Sequence, residues 1–235
     1  MAIGPRRVLE SAPVRPPDAA MPPRPPIPWI CWGVIASSAA VFLADQATRQ
    51  IPLAWLALYG PLVVEAGQWW RVLTCVFTHG STLHIFFNLS VVATFGVALE
   101  RQLGSARFAL ISLVTALGSA ALVLALAYNL PTVGASGMII GWLGATLPIA
   151  NRQARRDLAL WLVQIALISA LPLLFPAIRI SWQGHLGGFL AGIPCGLVLR
   201  NQLHRFYPLT WALLAAAVVA TVVAGFVGRS LGGVL

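Results

Sequence analysis

Apolar runs of about 20 residues, long enough to cross a lipid bilayer, recur along this chain from Trp29 almost to its carboxyl terminus. No long polar stretch separates them. Only 9% of the residues are charged, against roughly 25% in soluble domains. The pattern excludes a soluble globular protein and predicts an all-α polytopic membrane protein built as a helical bundle. The predicted spans are residues 29–44, 82–100, 106–127, 136–151, 158–175, 185–199 and 208–228.

The basic residues set the expected orientation. All fifteen are arginines, scattered at the ends of the apolar runs rather than gathered on one face. With the amino terminus in the cytoplasm, eleven fall on the cytoplasmic side and four outside, a positive-inside bias that supports seven spans with the carboxyl terminus outside. The net charge of +9 therefore indicates topology, not nucleic-acid binding. We expect the lipid bilayer of the cell (plasma) membrane as the environment.

The amino-terminal stretch and the cysteines carry little functional information. Residues 1–28 hold nine of the 17 prolines, which predicts an extended or disordered cytoplasmic tail. A signal peptide is disfavoured, since no convincing small-x-small cleavage site follows. Cys31, Cys75 and Cys195 have no CxxC spacing and are expected to be packing residues.

Four polar side chains fall inside the predicted spans at a common depth: His84, Asn88, Ser136 and His185. Their three spans run from outside to inside, and each ends at an arginine that should lie at the inner interface. At a rise of about 1.5 Å per residue, all four lie ~20 to ~26 Å above that arginine. Polar groups inside a membrane are rare and default to a functional hypothesis, so we predict one shared site.

Glycines follow both Ser136 and His185 on their helices. They are Gly137, Gly141 and Gly144 after the serine, and Gly188, Gly192 and Gly196 after the histidine. Taken alone, such small-residue surfaces indicate ordinary close packing of membrane helices. With Ser136 and His185 at the head of the two faces, they also predict that hydroxyl and imidazole come within hydrogen-bond reach.

This combination of groups suits acyl transfer. Neutral imidazole can take the proton of a serine hydroxyl as it attacks a carbonyl, so Ser136 would be the nucleophile and His185 the general base. The six acidic residues lie in the tail, the loops and the cytoplasmic helix ends, so a dyad is expected and not a triad. His84 and Asn88, one helical turn apart, would supply oxyanion donors beside the Ser136 N–H.

Three motifs resemble those of the rhomboid intramembrane serine proteases. Gly134-Ala135-Ser136-Gly137 matches the family's GxSG; His79, His84 and Asn88 match HxxxxHxxxN; and His185, Gly188 and Gly192 match HxxGxxxG. Weaker matches are Trp70-Arg71 and Glu100-Arg101 with Gly104. The resemblance covers about residues 29–200. At position 140, usually aromatic in the family, this chain has Ile140, and Gly184 replaces the usual alanine before the second histidine.

The resemblance implies a helical bundle with the serine in a water-filled cavity open to the outside. It implies Ser136 and His185 as the catalytic dyad and His84 and Asn88 at the oxyanion. The implied supporting residues are His79, which would orient the first external loop, Trp70 and Arg71, which would anchor it, and Gly134, Gly137, Gly188 and Gly192. No metal or cofactor is implied. Because Ile140 offers no ring, we hypothesise that His185 is loosely held and the enzyme intrinsically slow, unless Trp142 or Trp182 replaces the missing aromatic side chain. The alternative is that aliphatic packing by Ile140 suffices.

These observations predict three parts: a tail (1–28), a six-helix rhomboid-like core (29–200) and an additional carboxyl-terminal helix (201–235). The expected function is an intramembrane serine endopeptidase that cleaves the transmembrane helices of other membrane proteins. One alternative is a noncatalytic rhomboid-like protein that binds such helices, although those proteins typically lack the serine or the histidine. Another is a small transporter or proton-coupled channel, but no internal repeat is present.

Overall fold

The computed structural model describes residues 26–48, 51–174 and 180–232, and the elements within these ranges are helices joined by loops and one isolated β-bridge. In chain order they are α1 (Trp29–Ala47), α2 (Ile51–Leu56), α3 (Gly60–Val64), α4 (Arg71–Thr74), α5 (Thr82–Val91), α6 (Val97–Leu103), α7 (Ser105–Leu126), α8 (Ser136–Thr146), α9 (Arg152–Leu174), α10 (Trp182–Asn201) and α11 (Phe206–Gly232). The predicted all-α bundle is confirmed. Residues 1–25 of the predicted tail lie outside the described residues.

Among the described residues, four helical stretches are both long and apolar enough to cross a membrane: Trp29–Ala47, Thr82–Leu103, Ser105–Leu126 and Leu203–Gly232. The second consists of α5 and α6 joined by a π-helical turn, Val92–Gly96. Helices α9 and α10 have 23 and 20 residues, also a spanning length. The protein is a multi-pass membrane protein, and the count of seven spans stays a prediction.

Helix α8 is shorter than its apolar run. The sequence predicts a span over 136–151, but the helix ends at Thr146 after 11 residues, a length of about 16 Å. Pro148 accounts for the difference, because proline disfavours helical geometry in the residue before it and lacks an N–H. The amino-terminal end of α8 lies inside the bundle, since Gly137 and Met138 of its first turn are buried.

The connection between α1 and α5 folds into short helices held by backbone hydrogen bonds. Asp45, buried at the end of α1, accepts from the N–H of Leu53 at 2.9 Å. Leu58 and Thr132 form the isolated antiparallel bridge, with N–H to oxygen distances of 2.9 and 2.8 Å. Non-helical backbone at a membrane is tolerated where protein satisfies its polar groups, and this connection satisfies many of them internally.

The best-packed part of the bundle is formed by α7, α8 and α10. Trp142 of α8 is fully buried, its ring centroid 4.7 Å from that of Phe108, and its Nε1 donates to Ser112 Oγ at 3.0 Å. The one polar atom of the fully buried Trp142 is thus hydrogen-bonded.

Helix α11 packs against α7 through Gly228, where a Cβ would collide with the carbonyl oxygen of Leu124.

A buried carboxylate ties α1 to the long helix formed by α5 and α6. Glu100, 1% exposed, accepts from the backbone N–H groups of Ile30 and Cys31 at 2.9 and 2.8 Å. The hydroxyl of Ser105 donates to the same carboxylate at 2.6 Å. Because the first N–H groups of a helix lack acceptors within it, Glu100 caps α1 from another helix.

Candidate active site

Ser136 is the first residue of α8, and the preceding loop aims it into the bundle. Gly134 has φ +112°, a left-handed conformation that favours glycine, and its N–H donates to the carbonyl of Cys75 at 2.9 Å. Ala135 is the N-cap. The first N–H groups of α8, including that of Ser136, have no acceptor within the helix and lie at its positive end.

His185 lies in the first turn of α10, beside Ser136. Ser181 caps this helix by accepting from the Gly184 N–H at 3.2 Å, which places His185 one residue further along. The distance from His185 Nε2 to Ser136 Oγ is 2.9 Å. A serine hydroxyl and an imidazole nitrogen, each partly buried, are therefore hydrogen-bonded where two helices begin.

Glycines let α8 and α10 approach this closely. A Cβ at Gly188 would collide with the carbonyl oxygen of Gly137, and one at Gly192 with that of Gly141. A Cβ at Gly137 would collide with the side chain of Ser119 on α7. The backbones of α8 and α10 are thus in contact below the two polar side chains.

His84 approaches the loop that carries Ser136. Its helix α5 begins after Ser81, whose hydroxyl accepts from the His84 N–H at 3.2 Å. The imidazole lies against Gly134, where an added Cβ would be 2.6 Å from His84 Nε2. His84 therefore lies beside Gly134, which precedes the serine by two residues.

Asn88, one turn further along α5, is 7% exposed. Its Nδ2 donates to the carbonyl oxygen of His84 at 2.9 Å. A primary amide has two N–H groups, so one remains for another acceptor. In this structure Asn88 is bonded to its own helix, and the second N–H is the one available to a ligand.

His79 packs behind His84 in the loop before α5. The two ring centroids are 5.0 Å apart with the planes at 70°, and His79 is 2% exposed. Burial, together with the nearby His84, lowers the pKa of His79 to about 4, so its ring is neutral at pH 7. Both ring nitrogens lack a hydrogen-bond partner among the described residues.

Trp70 and Arg71 hold the connection between α1 and α5 together. Arg71 is 3% exposed, and its guanidinium donates to the carbonyls of Ala54 and Ala57, each at 2.9 Å. Desolvation lowers its pKa from the ordinary value. The indole of Trp70 is half exposed and donates to the carbonyl of Trp55 at 3.4 Å.

Ser169 is a further polar residue at this site, outside the set that the sequence predicts. This residue of α9 lies with its Oγ 2.7 Å from His185 Nδ1, on the side of the ring away from Ser136. A signal was available: Ser169 is 17 residues beyond Arg152, or about 26 Å above it on a helix. That is the depth of the four predicted polar residues, but on a span that runs in the opposite direction.

No aromatic ring pairs with His185 among the described residues. Trp142 faces Phe108 and Ser112 on α7, and Trp182 is 44% exposed. Ile140 is buried. Neither Trp142 nor Trp182 therefore provides the aromatic ring that Ile140 lacks. The second hydrogen bond of His185 is made with Ser169.

A model of the Rhomboid domain matches residues 66–202, more than half of the chain. RHOMBOID-like protein 5 of Arabidopsis thaliana is 28% identical over 232 residues, 81% of this chain and 75% of that protein. Rhomboid protease GluP of Bacillus subtilis is 34% identical over 168 residues, 70% of this chain and 32% of that protein. Rhomboid-like protease 1 of Toxoplasma gondii is 33% identical over 171 residues, 68% of this chain and 57% of that protein. The last two relatives are thus covered over less than two thirds of their lengths.

Proposed function

Because the chain belongs to the rhomboid family of membrane proteins, we propose that it is an intramembrane serine endopeptidase. It hydrolyses peptide bonds in or near the transmembrane helices of other membrane proteins. The observation that carries the proposal is the 2.9 Å contact between Ser136 Oγ and His185 Nε2 within the helical bundle. The reaction uses this chain's own side chains and needs no metal or cofactor.

Ser136 and His185 divide the chemistry as nucleophile and base. His185 Nε2 takes the hydroxyl proton as Ser136 Oγ bonds to the scissile carbonyl carbon. The protonated imidazole then gives that proton to the leaving amine as the C–N bond breaks, which leaves an acyl-enzyme. Water hydrolyses the ester, with the same histidine acting as base and then acid.

The tetrahedral intermediate needs donors for its oxyanion. The Ser136 N–H is at the positive end of α8, and the His84 ring lies against Gly134 in the same loop. The second amide N–H of Asn88 supplies a further donor. Such donors are worth about 3 kcal/mol each in soluble proteases, because they are fixed in a site that excludes bulk water.

The substrate class follows from backbone chemistry. A transmembrane helix keeps its carbonyls in internal hydrogen bonds, so a scissile bond must leave the helix before it reaches Ser136. Small or helix-breaking residues near the outer end of a substrate helix lower that cost. We assign the cavity to the outer side, with the protein in the plasma membrane, its amino terminus cytoplasmic and its carboxyl terminus outside. Residues 29–200 form the proteolytic core, and residues 201–235 add a helix to it.

The experiment uses the purified full chain in detergent, a fluorophosphonate probe and a model protein with one transmembrane helix. The wild-type chain should be labelled at Ser136 and should cleave the model substrate. Ser136→Ala and His185→Ala should abolish cleavage and leave the thermal unfolding midpoint nearly unchanged. Ser230→Ala is a matched control, because Ser230 is exposed on α11 and its hydroxyl bonds only to Phe226 of the same helix.

Undiminished cleavage by either dyad variant would disprove the assignment. A folded wild-type chain that neither reacts with the probe nor cleaves, yet binds the substrate helix, would instead indicate a noncatalytic rhomboid-like protein.

A further inference from the structure

His185 makes hydrogen bonds from both ring nitrogens. Nε2 lies 2.9 Å from Ser136 Oγ, and Nδ1 lies 2.7 Å from Ser169 Oγ. A neutral imidazole carries one proton, on one nitrogen or the other. For Nε2 to accept the proton of Ser136, the ring proton must be on Nδ1, where Ser169 Oγ accepts it. Both contacts can form with the ring proton on Nδ1, because a serine hydroxyl can donate to Nε2 or accept from Nδ1.

In a serine, histidine and carboxylate triad, the third residue orients the imidazole through Nδ1. The acids of the described segments lie elsewhere. Asp45 accepts from the backbone N–H of Leu53 in α2, Glu100 from backbone N–H groups at the start of α1, and Asp157 from the side chain of Gln153 on its own helix. Glu65 accepts from the hydroxyl of Tyr128. In this structure a hydroxyl, not a carboxylate, occupies the position of the third residue.

The contact between Ser169 and His185 also connects helix α9 to the site. Apart from this contact, α9 packs little against the other described helices, and large apolar side chains such as Leu160, Leu167 and Ile168 are exposed. Within the described part of the chain, the contact to His185 is the one hydrogen bond between α9 and another helix. The orientation of His185 therefore depends on the position of α9.

We propose that Ser169 is a positioning residue for His185, an inference that rests on the proposed function. Its oxygen accepts the Nδ1–H, keeps the Nε2 lone pair directed at Ser136 and limits rotation of the ring. A hydroxyl carries no charge, so it fixes the tautomer and the orientation without the electrostatic stabilisation of imidazolium that a carboxylate adds. The Ser169 hydroxyl thereby restrains the His185 ring, which Ile140 cannot do by aromatic contact.

The test compares Ser169→Ala, Ser169→Thr and the control Ser230→Ala on one model substrate. Ser169→Ala should lower kcat roughly tenfold with KM unchanged, because one ordinary hydrogen bond to the base is lost. Ser169→Thr keeps the hydroxyl and should recover most of the wild-type kcat. Ser230→Ala should equal wild type.

A second measurement does not depend on activity. In ¹⁵N-histidine NMR spectra, with the His185 signals identified by their loss in His185→Gln, the wild-type ring should be protonated at Nδ1. In Ser169→Ala it should become a mixture of tautomers. An unchanged tautomer in Ser169→Ala, or a kcat equal to wild type, would overturn the proposal, as would a loss of kcat that Ser169→Thr does not restore. If the wild-type chain is inactive, the proposed function fails, whereas the tautomer still decides the role of Ser169.

Discussion

The α-carbon of Gly188 lies against the carbonyl oxygen of Gly137, the residue that follows Ser136. The contact is between two backbones, so neither partner can move aside by a side-chain rotation. It lies directly below the hydrogen bond between Ser136 and His185, because Gly188 is three residues after that histidine. This pair of glycines, with the similar contact of Gly192 on Gly141 one turn below, sets the spacing of α8 and α10 and the geometry of the two polar groups.

Gly188→Ala should therefore destabilise the bundle and lower turnover together. A methyl group at position 188 forces the helices apart, and overpacking of this kind costs about 1–3 kcal/mol. The measurement is the thermal unfolding midpoint in detergent, with cleavage of one model substrate. Gly33→Ala is the matched control, since a Cβ on this α1 glycine meets nothing within 4 Å. Equal midpoints for the two variants would show that the backbone contact does not limit the spacing.

His84→Ala should lower turnover by about 100-fold, and Asn88→Ala by less, because each removes one oxyanion donor while the Ser136 N–H remains. The smaller effect for Asn88 follows from its bond to the His84 carbonyl, which occupies one amide N–H. The measurement is kcat, with KM expected to change little. Ser90→Ala on the same helix is the control, since that hydroxyl bonds to Phe86 of its own helix. If neither His84→Ala nor Asn88→Ala changes kcat, the oxyanion role is wrong.

Ile140→Phe should change turnover by less than about threefold. The sequence suggested that the missing ring leaves His185 loosely held and the enzyme slow, but Ser169 holds the ring through Nδ1. A hydrogen bond of ordinary strength already supplies a factor of about ten in positioning. Turnover and the thermal unfolding midpoint are measured on the same preparations. A tenfold gain in Ile140→Phe with an intact fold would show that a ring does limit this dyad.

A cysteine in place of Ser136 should react with a membrane-impermeant thiol reagent from the outside alone. The native cysteines, Cys31, Cys75 and Cys195, are buried and free, and are removed beforehand. Cysteines at the exposed positions Gln153 and Ser230 serve as the controls for the inner and outer faces. Reaction at position 136 from the cytoplasmic face alone would reverse the proposed topology.

The sequence is most informative about polar side chains inside the membrane, because they are rare there and have few roles. Ser136 and His185 were paired by depth and by the glycines beneath them, and the structure has that hydrogen bond. Ser169 was missed because depth was compared only among spans that run outside to inside. The resemblance assigns Arg71 to the first loop but does not identify its acceptors. Besides the Gln68 side chain, they are backbone carbonyls of a folded connection, which no periodicity specifies.

The cap that Glu100 provides for α1 has a consequence for biosynthesis. In a chain made from its amino terminus, α1 is synthesised before Glu100. Until Glu100 reaches them, the N–H groups of Ile30 and Cys31 lack the acceptor that they have in the folded protein. Helix α1 can therefore dock in its final position only after the second long helix has entered the membrane. The pairing of these two helices is a post-insertion step, and Glu100→Ala should slow it without preventing either helix from inserting.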